Sequence, residues 1–313
     1  MPDSTPPTAP VSSNISAAPA GPSNLRLRVI YGVLGAALLL GSVWFSPWTF
    51  GLFFAAVQAV MLWEFYRMMR AGGYAPATWI GIGAGIAFFL LAGLLSQELA
   101  GNNHVLIVRL FLKSVASLAL VLPVILVLRE IAIWKGGEKA FANIGTTLLG
   151  ILYVSLPMAL LTVIAQDKPG GYSGNTYYET YDYRRVFALL FLIWASDIGA
   201  YAAGKTFGKH KLAPKISPGK TWEGWAGGFV LTLVVGWALG YLLPDLPLTH
   251  RLVAAGVVAV FAPLGDLAES MLKRSVGVKD SGSIMPGHGG LLDRFDAFLL
   301  VLPVLALLQL LAG

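Results

Sequence analysis

The chain has 313 residues, of which Lys and Arg supply 22 and Asp and Glu 16, so charged residues make up only 12% of it, half of the ~25% found in soluble domains. Such a sequence cannot coat a soluble globule with polar groups. With 56% hydrophobic residues, 36 glycines and apolar stretches that reach the length of about 20 residues needed to cross a hydrocarbon core, it reads as an all-α, polytopic integral membrane protein. Cysteine is absent, so disulfides and thiolate metal sites are excluded and any metal must sit on oxygen or on the four histidines. A formal charge of +6 in a membrane chain points to cytoplasmic anchoring and away from nucleic acid.

Residues 1–24 hold six of the 18 prolines and a single charge, Asp3, a composition that buries too little apolar surface to order itself. We read it as a flexible tail. It lacks the basic start of a signal peptide, and no small-residue cleavage site follows the first apolar run, so the first helix should stay. Nine apolar windows follow, at roughly 28–46, 48–69, 76–96, 105–128, 142–165, 185–204, 224–243, 252–272 and 295–312. With the N-terminus in the cytoplasm, sixteen basic residues fall inside and only Lys168, Arg184, Arg185 and Arg251 outside, while Arg109 and Lys113 lie within the fourth window. That asymmetry favours nine spans with N-inside and C-outside. The Gly- and Tyr-rich loop at about 166–184 carries no expected chemistry. No internal repeat of the transporter kind is visible. The reading divides the chain into the 1–24 tail, an N-terminal transmembrane scaffold over 25–184 with few intramembrane charges, and a C-terminal catalytic region over 185–313.

Two segments, 195–225 and 262–297, hold 16 of the 38 charged residues, and both meet the membrane on the cytoplasmic side. Gly199 to Thr206 matches the G-x-x-x-x-G-K-[ST] pattern of a phosphate-binding loop. The pattern requires a preceding strand and a following helix; here a transmembrane window precedes it and a loop with Pro214 and Pro218 follows. A small-residue packing face through Gly199 and Ala203 is the better reading. Asp197 lies roughly 9 Å inside the rim at 1.5 Å per residue. Asp266, Glu269 and Ser270 share one helical face, and Asp293 and Asp296 stand three apart at the opening of the ninth window. Any one of these acids could be a structural ion pair. Four at one membrane edge repel each other unless cations compensate, and Mg²⁺ held by carboxylates and substrate phosphates would do so. The Pro286-Gly287-His288-Gly289-Gly290 run can bring backbone N–H groups to an anion. Lys220, Lys273, Arg274, Lys279 and Arg294 alternate with these acids and glycines, which favours a phosphate site over simple anchoring.

Ser270-Met271-Leu272-Lys273-Arg274, then Lys279-Asp280, then His288-Gly289-Gly290-Leu291-Leu292-Asp293-Arg294-Phe295-Asp296 resembles the signature of the phosphatidate cytidylyltransferases, or CDP-diacylglycerol synthases. Ser196-Asp197 and Ser217-Pro218-Gly219-Lys220-Thr221-Trp222-Glu223-Gly224 also resemble the family. The likeness is strong over about 194–300, weaker over 28–193, and absent from the tail. It implies transfer of a cytidylyl group from CTP to phosphatidic acid with Mg²⁺ as cofactor, in a bacterial plasma membrane with the site facing the cytoplasm. On this reading Asp266 and Asp293 hold the principal metal, with Asp296 and Asp197 as further ligands or partners. Lys220 and His288 join the catalytic set, His288 as the candidate base. Ser217, Lys273, Arg274, Lys279, Arg294, Gly289 and Gly290 bind substrate phosphates. CTP, phosphatidic acid and membrane lipids are the expected partners, nucleic acid is not, and a homodimer stays open. Two alternatives remain: a transporter using Asp197 and Asp266 as ion-pathway residues, and a cytidylyltransferase acting on another lipid phosphate.

Overall fold

Local signals set where each apolar run begins and ends. Ser46 caps the second helix in a reciprocal capping box with Thr49, and Pro47 sits at its first turn, where a missing N–H costs nothing. Gly72 and Gly73 stop the same helix, Gly73 with φ +81°, a conformation that suits glycine. Asp182 and Thr221 cap two later helices by accepting from Arg184 and Gly224 backbone N–H groups.

The computed structural model describes residues 24–98, 104–134, 136, 139–166, 172–173, 176–177, 181–282, 284 and 289–312. Its helices are α1 (Asn24–Phe45), α2 (Pro47–Ala71), α3 (Thr78–Glu98), α4 (His104–Ile133), α5 (Ala140–Gly150), α6 (Leu156–Ile164), α7 (Tyr183–Phe207), α8 (Trp222–Ala238), α9 (Leu248–Ser275) and α10 (Leu292–Ala312). A π-helical turn, Ile151–Ser155, joins α5 to α6, so the described residues contain nine helical rods, one at each apolar window. Six of these are long and apolar enough to cross a membrane by length and composition, and two shorter apolar helices, Val29–Phe45 and Thr78–Leu94, accompany them. The chain is an integral membrane protein of the all-α class. The tail lies outside the described residues apart from Asn24, as does most of the 166–184 loop, of which Tyr172–Ser173 (β1) and Thr176–Tyr177 (β2) pair antiparallel.

Contacts between helix ends define two rims. On one, Lys139 Nζ donates to Gly73 O at 3.2 Å, Arg129 to Ala75 O at 3.1 Å and Arg67 to Ser281 O at 3.2 Å. The N-terminus of α3 is capped there from α5: Asn143 Oδ1 accepts from Ala75 N–H and Thr147 Oγ1 from Ala77 N–H. On the other rim Tyr181 OH donates to Val43 O at 2.7 Å, and Arg251 donates to Trp237 O at 2.9 Å. Residues at or beyond the ends of α2, α4, α5 and α9 that were expected on the cytoplasmic side therefore share the first rim. Between the rims the larger of two apolar clusters among the described residues crosses position 184, joining Phe54, Met61 and Phe65 of α2 to Phe295, Leu299 and Leu302 of α10.

The most extensive helix pair is α7 with α8, and its seam is glycine. A Cβ on Gly199 would lie 2.7 Å from Gly227 O and 2.9 Å from Gly228 Cα, and one on Gly228 would lie 2.7 Å from Ser196 O. In lipid no hydrophobic drive separates helix from helix, so close backbone approach supplies the packing. The G-x-x-x-x-G-K-[ST] match lies wholly inside α7 and is this seam. Because those neighbours are backbone atoms, Gly199→Ala should lower stability in detergent by about 1–3 kcal/mol, read as a reduced melting temperature. Gly83→Ala on α3, where a Cβ meets nothing within 4 Å, should be neutral or stabilising, as alanine is the better helix former.

Candidate active site

The segment between α7 and α8, expected as a loop, folds as a short antiparallel hairpin, β3 (Lys211–Ala213) and β4 (Ser217–Thr221), in which Lys211 faces Thr221 and Ala213 faces Ser217. Its base is locked by Glu223 in the first turn of α8. That carboxylate accepts from the backbone N–H groups of Lys209 and His210 at 3.1 and 3.2 Å and contacts His210 Nδ1 at 2.6 Å. The hairpin thus returns over the bundle and delivers Lys220, whose Nζ lies 2.7 Å from Asp266 Oδ2 and 3.2 Å from Pro263 O on α9.

Around that ammonium the structure gathers the first acidic group. Asp197 of α7, Asp266 of α9 and Asp296 of α10 lie within electrostatic range of one another and of Lys220. Asp197 is exposed, while Asp266 and Asp296 are half-buried, so all three can be reached. Ser270 Oγ donates to Asp266 Oδ1 at 3.3 Å, as their spacing of four predicts. The backbones of α9 and α10 touch here: a Cβ on Gly265 would lie 2.5 Å from Asp296 O. Three carboxyl groups meet one ammonium in a partly dehydrated place, a donor set of oxygen alone that suits a hard divalent cation. Among the described residues no three acidic or histidine side chains already converge as a finished metal cage.

The second acidic group lies about one turn further along α9. Lys273 Nζ sits between Glu269 Oε2 at 2.5 Å and Asp293 Oδ1 at 2.7 Å, and all three side chains are nearly withdrawn from solvent. Asp293 Oδ2 accepts from Gly290 N–H at 2.8 Å and Ser281 N–H at 3.3 Å. Gly289 has φ +81°, and any side chain there would be strained and would press on Asp293 Oδ2. The structure groups Asp266 with Asp197 and Asp296, while Asp293 is engaged by Lys273 and by the backbone of the loop before α10. The reason is that Asp293 and Asp296, three apart on α10, meet different neighbours on α9.

Other expected residues lie further out. Arg274, Lys279 and Arg294 are exposed, and Arg274 donates to Val278 O at 3.4 Å, closing the end of its own helix. Ser217 stands half-buried on β4. His288 is outside the described residues. What sequence reading passed over is Glu64 on α2, fully buried, whose Oε2 accepts from Leu292 N–H at 2.8 Å and from Ser281 Oγ at 3.4 Å. Glu269, noted only as sharing a face with Asp266, proves to be half of the Lys273 clamp. The available signal was the acid itself: an ionisable residue inside the apolar window 48–69 is a functional candidate by default.

Known proteins are similar to this chain. A model of the cytidylyltransferase family matches residues 26–311. A phosphatidate cytidylyltransferase of Bacillus subtilis (strain 168) is 33% identical over 284 residues, covering 90% of this chain and 96% of its own. One from Haemophilus influenzae is 31% identical over 297 residues, covering 89% and 96%. A third, from Staphylococcus aureus (strain COL), is 50% identical over 118 residues, 37% of this chain and 45% of its own. With nearly the whole length matched by the family and by two full-length relatives, the chain belongs to the cytidylyltransferase family.

Proposed function

We propose that this protein transfers CMP from CTP to phosphatidic acid, forming CDP-diacylglycerol and pyrophosphate. The observation that carries the reading is the first acidic group: three reachable carboxylates and one lysine, set below a basic rim where a water-soluble nucleotide and a lipid headgroup can meet. The names of the Bacillus subtilis and Haemophilus influenzae relatives support it. The excess of basic residues on this rim supports an active site facing the cytoplasm.

In the reaction a phosphate oxygen of phosphatidic acid attacks the α-phosphorus of CTP. The bond from that phosphorus to the oxygen bridging the β-phosphate breaks, and pyrophosphate leaves with the electron pair. A phosphate monoester whose second pKa is near 6 is already largely a dianion at neutral pH, so removal of a proton contributes little to the barrier. The barrier is the approach of two polyanions and the charge gathering on the leaving group. Asp266, Asp296 and Asp197 would hold Mg²⁺, with Asp293 joining them where substrate draws Lys273 away. Bound there, the ion would neutralise phosphate charge as a Lewis acid. Lys220, anchored on Asp266 and on the Pro263 carbonyl, is placed to meet a phosphate at the edge of the group. The Gly289 and Gly290 backbone orients the second side of the site, with Arg274, Lys279 and Arg294 raising the local phosphate concentration from the rim. Ser217 and His288 are proposed to orient phosphates, with His288 as a candidate base.

Purified protein supplied with labelled CTP and phosphatidic acid should form CDP-diacylglycerol and pyrophosphate in equal amounts. Failure with phosphatidic acid, or uptake of solute into proteoliposomes without product, would overturn the reading. Asp266→Asn should lower kcat by at least about a hundredfold, the scale of lost transition-state charge stabilisation, while its elution and melting temperature in detergent stay as in the unaltered chain. Chelation should abolish turnover and Mg²⁺ should restore it. Asp296→Asn should need a higher Mg²⁺ concentration for half-maximal activity; an unchanged Mg²⁺ dependence would remove Asp296 from the ligand set.

A further inference from the structure

The helix that begins the second acidic group has no acceptor of its own. α10 opens at Leu292 after Gly290 and Leu291, and neither residue carries a side-chain oxygen to receive the first helical N–H groups. Elsewhere in this chain that need is met locally, by Ser46, Asp182 or Thr221. Here the acceptor comes from 228 residues away, where Glu64 Oε2 takes the Leu292 N–H at 2.8 Å. The same oxygen lies 3.4 Å from Ser281 Oγ, and Arg67, one turn along α2, donates to Ser281 O at 3.2 Å. Ser281 in turn donates its N–H to Asp293. α2 therefore grips both ends of the 281–292 segment.

Burial alone does not account for Glu64. It is 0% exposed among Met61, Leu62 and Phe65, all fully buried, a place where a leucine would pack without loss and a carboxylate is costly. What the carboxylate adds is an acceptor at the positive end of a helix. Space is shaped to it: a Cβ on either Gly282 or Gly290 would overlap the Glu64 carboxylate.

We propose that Glu64 is a positioning residue. By capping α10 from α2 and holding Ser281, it sets Asp293 and the Gly289–Gly290 backbone against the phosphates of the nucleotide. The inference rests on the cytidylyl-transfer reading, and it makes the N-terminal half part of the active-site geometry.

The test compares Glu64→Ala with Glu64→Gln in the full-length protein in detergent. Loss of a hydrogen bond from a charged acceptor is worth about tenfold or more, so Glu64→Ala should raise KM for CTP and lower kcat by at least that factor. KM for phosphatidic acid should stay within about threefold. Glu64→Gln keeps an acceptor oxygen and should restore the KM for CTP. Should both variants keep the original KM for CTP, or lose Vmax alike with both KM values unchanged, the positioning role is refuted. Gly282→Ala, which crowds the same carboxylate, should reproduce the rise in KM for CTP, and adding Glu64→Asp, one methylene shorter, should reverse it at least in part; absence of that suppression counts against the proposal. Hydrogen exchange reads the same link without turnover. Glu64→Ala should speed exchange at Ser281, Gly282 and 289–292 while Glu64→Gln keeps protection, and equal protection in all three proteins would overturn the inference even if CDP-diacylglycerol is made. A chain that makes none, yet shows the exchange pattern, fails the functional reading and keeps the positioning.

Discussion

Inside a hydrocarbon slab there is no water to answer a charge, so each buried carboxylate must find its compensation on a neighbouring helix. That requirement ties the polar part of this protein together. Lys273 answers Glu269 and Asp293 at once, Lys220 reaches in from a hairpin to answer Asp266, and backbone N–H groups of Leu292, Gly290 and Ser281 answer Glu64 and Asp293. Apart from the Lys273–Glu269 pair inside α9, these answers cross from one element to another, so the charges tie α2, α9, α10 and the hairpin together.

The two acidic groups differ in their surroundings. Around Asp293 two acids share one lysine and the side chains are nearly withdrawn from solvent. Around Asp197, Asp266 and Asp296 three carboxyl groups meet one ammonium, with Asp197 exposed and the other two half-buried, an oxygen donor set open to the rim. The glycine seam between α7 and α8 and the Gly265 contact with α10 bring the three helices of that group within reach of each other. Close backbone approach thus comes first: any side chain at those glycines would move one of these carboxylates.

The apolar windows and their order were legible because a helix that crosses lipid needs a long, nearly uncharged run, and such runs leave little room for error. The 166–184 loop and the tail were equally visible as departures from that pattern. The residues of the site were legible as types, since acids and glycines are conspicuous in a chain with so few charges. Their grouping was not. Asp293 and Asp296 stand three apart on one helix, yet one faces Lys273 and the other faces Asp266. Nothing in the spacing says which neighbour each will meet, because that depends on how α10 is rotated against α9. Glu64 was hidden for the same reason: its partners lie more than 200 residues away, and a lone acid in an apolar run reads as scaffold until the helix beside it is known.

The sequence by itself determined an all-helical membrane protein, the side on which its charge gathers, and the family signature across Ser270–Asp296, since hydropathy, charge asymmetry and motif spacing are properties of a linear string. Only the tertiary structure decided that Lys220 arrives on a hairpin, that the acids divide into a pair sharing Lys273 and a trio beside Lys220, and that Glu64 and Arg67 of the N-terminal half bond Leu292 and Ser281. Those outcomes depend on distances between helices far apart in sequence, where a rotation of one side-chain position exchanges one partner for another.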